Sequence, residues 1–386
     1  INRPSQNYVG LFGYVGSGGQ VMDIGVENVQ VVGNWYIGGF VGSNGGVLTQ
    51  SYSTGSVSGG SSVGGLIGAN DGGTVTQSYS KCSVLGSDNW VGGLVGYNNG
   101  IISQSFSTGS VSGYQYVGGL VGTNYFEYGS GGTIIRSYSM GSVLGMVYVG
   151  GFVGYNYNGT VTESYSIGSV SGNSNVGGLV GFNEGGIVSS SYWDVNMSGC
   201  SGSSGGEGKT ATEMKQKETY IGWDFTNMWG MVEGKTYPYF TWWNPVVPYI
   251  VEMSQGSAVN AIIEASLIVG TIDHQCSDTI PAGDVISQSP SAGTQVIPGT
   301  AVDLVISTGD CISVPDVVGL SQSSAESVIV GAGLTVGTIT QKSSLTIPIG
   351  NVIRQNPIAG TDVSSGTAVD LVISTGPIQI SDVIDL

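Results

Sequence analysis

The side chains able to do chemistry are few and scattered. The chain has one histidine, His274, and four cysteines, at 82, 200, 276 and 311. Residues 1–189 hold seven acids: Asp23, Glu27, Asp71, Asp88, Glu127, Glu163 and Glu184. General acid–base work needs carboxylates gathered around one bond, or a carboxylate working with a histidine or lysine. These acids fall in different segments of the chain, and His274 has no obvious serine or cysteine partner. The cysteines match no metal-ligand spacing. "NDGG" (70–73) and "NEGG" (183–186) lack the alternating acids of a calcium loop and read as turns. Trp193, Trp223, Trp229, Trp242 and Trp243 have ring faces suited to sugars, but their clustering reads first as the core of a packed segment. No catalytic, cofactor or metal residue is expected, and an enzyme is the disfavoured class.

Composition narrows the field further. The 386 residues carry nine Lys+Arg against 26 Asp+Glu, a net charge of −17. No basic patch is compatible with that balance, which argues against nucleic acid and anionic membranes. Charged residues are 9% of the chain, against about 25% in ordinary globular domains. No stretch approaches the ~18 apolar residues of a spanning helix. An acidic chain rich in Ser, Thr, Gly and Tyr suggests an extracellular or cell-surface protein.

What must position any functional group is a repeat. A Val or Ile opens a glycine-rich phrase at 9, 37, 63, 91, 117, 149 and 176, in steps of 26–32 residues. Between these phrases lies a second, "SYSTGSVSG" at 51–59 and its relatives at 78, 105, 137 and 164. Each unit reads as a short strand, an Asn/Gly turn, a strand, a Gly corner and a strand. A unit this small cannot bury its own apolar face, whereas stacked units can, so the pattern predicts a β-solenoid over 1–190. One unit per coil stacks Leu/Phe (11 or 12, then 40, 66, 94, 120, 152, 179) and Tyr/Phe (52, 79, 106, 138, 165, 192) into ladders. It also sets Arg136 beside Glu163. The glycines are expected to supply positive φ at corners and close approach of backbone layers. The insertion "NYFEYGSGG" (124–132) offers Tyr125, Phe126 and Tyr128 as contact residues on a protruding loop. Residues 191–245, charged and tryptophan-rich, read as a plug at the C-terminal end. Within them Thr210-x-x-Glu213 marks a short helix.

The last third is a different repeat. Residues 247–309 align without a gap to 314–376 at an offset of 67. Each copy reads as a helix, at 257–265 or 324–332, on a small antiparallel sheet, with Ser323-x-x-Glu326 as a capping box. The two modules span 246–310 and 311–376, and a tail, 377–386, follows. Cys276 and Cys311 correspond to Ser343 and Ile378 in the second copy, so both thiols are absent there together. That paired absence predicts a disulfide. Cys82 and Cys200 are too far apart along the stack to pair within one chain.

The phrase "VGGLVG" with "SYSTGSVSG" resembles the GLUG-motif family, found in large bacterial surface proteins, over about residues 8–245. "VPDVVGLSQSSAESVIVGAGL" (314–334) and "VIRQNPIAGTDVSSGTAVDLVIS" (352–374) resemble PASTA domains, which are implicated in binding peptidoglycan fragments and serve as extracellular spacers. The resemblance implies no catalytic residue.

The fold class expected is therefore mainly β: a solenoid of about seven repeats, a tryptophan-rich plug and two small α+β modules. The function expected is that of a non-enzymatic extracellular structural protein associating head-to-tail with itself into a filament or coat. The argument is the open edge of the first coil, with Ile378 and Ile380 of the tail patterned as a strand that adds to a neighbour. The alternative is a monomeric adhesin that binds peptidoglycan or surface glycans.

Overall fold

A computed structural model describes residues 1–127 and 130–377 of the chain. They divide into two compact units, the first ending at Trp242 and the second beginning at Trp243.

The first unit is a parallel β-solenoid in which each repeat makes one coil. Its pairing register equals the repeat step. Val41 pairs with Ile67, Val95 with Val121, and Val121 with Val153 across the insertion. Four sheets run along the stack rather than the three strands per repeat that the sequence suggests. The first holds Phe12–Val15 through Val180–Glu184, and the second Gln20–Met22 through Ile187–Ser189. The third begins at Gly25–Val32, and the fourth runs from Trp35–Gly38 to Ser174–Gly177. The fourth strand is "YVG" itself, set off from "LVG" by the glycine pair.

The corners are not where glycine was expected. The residue before "SYS" lies in the left-handed region at Gln50, Gln77, Gln104, Arg136 and Glu163, with φ of 46–51° at these sites. That reversal resolves the parity of "TVTESYS". Val161 faces the interior, while the Tyr165 ring meets Trp223 and Trp229. The glycines of "VGGLVG" do not adopt positive φ; close approach alone requires them. A Cβ on Gly92 would lie 2.0 Å from the Val95 carbonyl oxygen, and one on Gly93 would lie 2.1 Å from that of Gly119 in the next coil.

Inside the coil, Phe40, Leu66, Leu94, Leu120, Phe152 and Leu179 are fully buried in one column. Each contributes about 1.5–3 kcal/mol. A second column of valines includes Val57, Val63, Val84, Val91, Val111 and Val117. The first repeat departs from the ladder. Leu11 is 51% exposed and Phe12 38%, because no earlier coil covers them among the described residues. Polar ladders run beside the apolar ones. Asn44, Asn70, Asn98, Asn124, Asn156 and Asn183 pass one side-chain hydrogen bond from coil to coil at 2.7–2.9 Å. These include the asparagines of "NDGG" and "NEGG", which were expected in turns: Asn70 instead ends the strand Ile67–Asn70, and Asn183 lies in the strand Val180–Glu184. In a matching serine ladder, the Ser78 backbone N–H donates to Ser105 Oγ at 3.2 Å.

The tryptophan-rich segment does two things. Its early part continues the last coil, where Glu207–Lys209 pairs in parallel with Tyr192–Asp194 and Ser203 Oγ accepts from the Val180 N–H. The remainder runs along the flank instead of across the end. There the Tyr/Phe ladder stacks ring on ring at 4.8 Å from Tyr52 through Phe106 to Tyr138. Trp242 and Phe240 cover Phe106, Trp229 covers Tyr138, and Trp223 covers Tyr165 and Tyr192. Tyr52 and Tyr79 lie before the covered stretch and stay half-buried. Thr210 and Glu213 form the reciprocal capping contacts, but two 3-10 turns, Glu213–Lys215 and Lys217–Thr219, stand where one α-helix was expected.

Candidate functional site

Each module of the second unit is built the same way. A serine, Ser254 or Ser321, accepts the backbone N–H three residues on and starts a helix, Gln255–Glu264 or Gln322–Gly331. The second helix therefore starts before Ser323, and Ser323-x-x-Glu326 is not its cap. One helix face, Ala258 and Ile262 or Ala325 and Ile329, buries against three strands. The sheet is mixed rather than antiparallel. The last strand, Ala301–Ser307, inserts between the other two, parallel to Ile268–Gln275 and antiparallel to Val285–Ser289. The second module repeats this with Thr335–Lys342, Ala368–Ser374 and Val352–Asn356.

A glutamine that sequence reasoning passed over fastens the entry segment of each module. Gln355 is 6% exposed; its Oε1 accepts from the Val317 N–H at 2.8 Å and its Nε2 donates to the Pro315 carbonyl at 2.8 Å. Gln288 makes the same pair of bonds to Ile250 and Pro248 in the first module. The signal was present in the aligned "VISQSP" and "VIRQNP". Cys276 and Cys311 are joined in a disulfide, with a Cα–Cα distance of 5.0 Å, that ties the end of the first strand to the segment leading into the second module. Cys82 is free and buried, and Cys200 is free. Burial pushes both thiols up from their ordinary value.

Over the sheet of the second module lies an open cleft of about 650 Å³, lined by Thr338, Thr340, Arg354, Asn356 and Asp370 among others. Asp370 Oδ1 accepts the Thr338 N–H at 2.6 Å, which holds a bulge in the first strand. Arg354 is exposed and stands where the first module has Ser287. The cleft thus offers a guanidinium beside threonine hydroxyls and an amide, a donor set suited to carboxylates and peptide carbonyls.

Residues 245–308 and 312–375 each match the sequence model of the PASTA domain. The second unit is a pair of PASTA domains. GLUG motifs match at 33–58 and 147–171, within the solenoid. The chain is similar to a probable serine/threonine-protein kinase of Clostridium acetobutylicum, 38% identical over 132 residues, covering 34% of this chain and 20% of the kinase. A second probable serine/threonine-protein kinase, of Corynebacterium efficiens, is 36% identical over 133 residues, with 34% and 20% covered. The chain spans about a fifth of the length of these curated relatives. These matches cover only the PASTA region, so they bring no kinase domain to this chain. Among solved structures, the entire extracellular region of the Ser/Thr kinase PrkC from Staphylococcus aureus is 27% identical. It covers 35% of this chain and 48% of that one, with a TM-score of 0.21.

Of the contact residues expected from sequence, Tyr125 stacks on Tyr157 at 5.0 Å and lies in a second cleft on the solenoid flank. Phe126 belongs to the strand Val121–Glu127. Tyr128, Ile378 and Ile380 lie outside the described residues. Among the described residues, no helix is long and apolar enough to cross a membrane.

Proposed function

We propose that this is a non-enzymatic extracellular surface protein whose PASTA pair holds peptidoglycan while the GLUG solenoid serves as a stiff body. The observation that carries the reading is the cleft of the second PASTA domain, where exposed Arg354 faces solvent beside Thr338 and Thr340. A peptidoglycan stem peptide presents carboxylates and amides, which those groups match. The solenoid suits the role of a body. Its interior columns and polar ladders tie each coil to the next, so bending it means breaking several ladders together. Co-sedimentation of the full chain with insoluble peptidoglycan tests the reading. The protein is expected in the pellet, with the Arg354→Ala variant shifted to the supernatant; wild-type protein left in the supernatant would count against it.

A second reading, head-to-tail association into a filament, rests on the first coil. Among the described residues, strands Phe12–Val15 and Gln20–Met22 pair on one side only, and Leu11, Tyr14 and Met22 are each more than half exposed. A parallel stack adds coils with unchanged polarity, and head-to-tail contacts of that kind between copies propagate. Light scattering and electron microscopy decide it. Particles that lengthen with concentration support a filament, and a monomer at high concentration removes it.

A further inference from the structure

We propose that the solenoid flank carries a second binding cleft, for uncharged glycans, in which pyranose rings stack on Tyr36, Trp90 and Tyr97. The proposal rests on the surface-protein reading above for access to such glycans, and extends it from the PASTA pair to the solenoid.

The cleft is about 570 Å³, within the range of small-ligand sites. Two rows of outward positions make it. In one row, the residue before each core valine or isoleucine is Tyr8, Tyr36, Ser62, Trp90, Tyr116 and Tyr148 in successive coils, and Tyr8, Tyr36, Trp90 and Tyr116 of these line the cleft. Val63, paired with Ile37 on one side and Val91 on the other, sets this register. All six have positive φ, at 52–62°. Asparagine tolerates that conformation far better than an aromatic residue, and Asn175 holds the equivalent place in the next coil. Bulky rings at strained corners are therefore features retained against a local cost.

In the other row, Ser43, Ala69, Tyr97, Thr123 and Tyr155 pair coil to coil. Ser43, Ala69 and Thr123 are small and buried, whereas the tyrosines are only half-buried. Small residues thus form a floor and rings form walls. Ser62 removes one ring from the first row between Tyr36 and Trp90. Trp90 instead leans towards Tyr97, with centroids 5.7 Å apart.

The lining chemistry selects the occupant. It contains no lysine or arginine, and its one carboxylate is Asp71. An anion would find no countercharge there. Ring faces suit the C–H faces of a sugar, while tyrosine, serine and threonine hydroxyls and Asp71 suit its hydroxyls. Tyr8 to Tyr155 spans five coil steps of about 4.8 Å each, room for several sugar units.

The test is calorimetry of the full chain with tetramers of glucose, mannose, galactose and N-acetylglucosamine. At least one is expected to bind with a Kd below about 1 mM, the weak end of specific recognition. Trp90→Ser, which installs the residue that the preceding coil already carries, should weaken it tenfold or more. Tyr97→Ala, which installs the residue of Ala69, should do the same, and Arg354→Ser should leave it unchanged. Circular dichroism checks that both flank variants stay folded. Absence of binding by all four tetramers overturns the proposal, as does binding that survives both flank variants. Self-association that both variants dissolve, with no sugar bound, assigns the face to a second copy and also overturns it. Peptidoglycan co-sedimentation by Trp90→Ser keeps the two readings apart. If it persists while the tetramers fail, only the flank proposal falls; if it fails while the tetramers bind, only the PASTA reading does.

Discussion

Arg136 Nε donates to Glu163 Oε2 at 2.8 Å, from one coil to the next. Both residues sit at the left-handed corner before "SYS", where Gln77 and Gln104 bond at 3.2 Å two coils earlier. The ion pair is thus a substituted rung of a glutamine ladder, as one unit per coil requires. Its side chains are 35% and 21% exposed, so water screens it. Arg136→Gln should change stability by less than about 1 kcal/mol, read by denaturant unfolding. A loss several times larger would mean that the corner depends on charge.

The glycine phrase should be far less tolerant. At Gly92 an added methyl meets the Val95 carbonyl at 2.0 Å, and backbone on both sides is locked into the stack. Gly92→Ala should cost roughly 3 kcal/mol or more. Gly202→Ala has nothing within 4 Å of the new carbon and should fall within about 0.5 kcal/mol of wild type. Thermal melts of the two variants side by side check the contrast.

The Cys276–Cys311 bond closes a separation of 35 residues, from the first PASTA domain to the segment just after it, and the second PASTA domain has no counterpart. Chain entropy gives the bond about 3–4 kcal/mol. The Cys276→Ser, Cys311→Ser double variant should lower the melting of the first domain while leaving the second, and the solenoid, unchanged. Domain-resolved hydrogen exchange reads this directly, and equal loosening of both PASTA domains would contradict it.

Alkali should attack the solenoid unit first. Burial pushes the phenols of Tyr138 and Tyr165 well above their ordinary value. A raised folded value means that the native state holds its proton longer than the unfolded one. The stabilisation is therefore complete below the unfolded value of about 10 and falls as pH rises beyond it. Tyrosinate absorbance should appear together with unfolding of residues 1–242. Ionisation of those tyrosines in a still-folded solenoid would contradict the account.

Repetition made much of this legible. Leu66, Leu94 and Leu120 recur at the coil step, so their column followed once one unit was assigned to one coil. Gln355 and Asn98 escaped for the opposite reason. An asparagine beside glycine reads as a turn residue, and only stacked coordinates show its amide reaching Asn124. The left-handed corners escaped too, since Gln, Arg, Glu and Tyr carry no local signal for positive φ; the stack imposes it. Tryptophan content marked 191–245 as a packed segment, yet which surface it covers depends on where the Tyr/Phe ladder emerges, a consequence of those same corners. Of the candidate sites, the PASTA cleft was legible as a module but not as Arg354. The flank cleft needed two rows brought together from opposite ends of "YVGGLVGYN".

Calorimetric titration of the full chain with a soluble muropeptide bearing its stem peptide tests the central claim most directly. The account predicts binding heat from wild type, weakened about tenfold or more in Arg354→Ser, the serine that the first module carries as Ser287. No heat from folded wild type at millimolar muropeptide, or binding that Arg354→Ser leaves untouched, would contradict it.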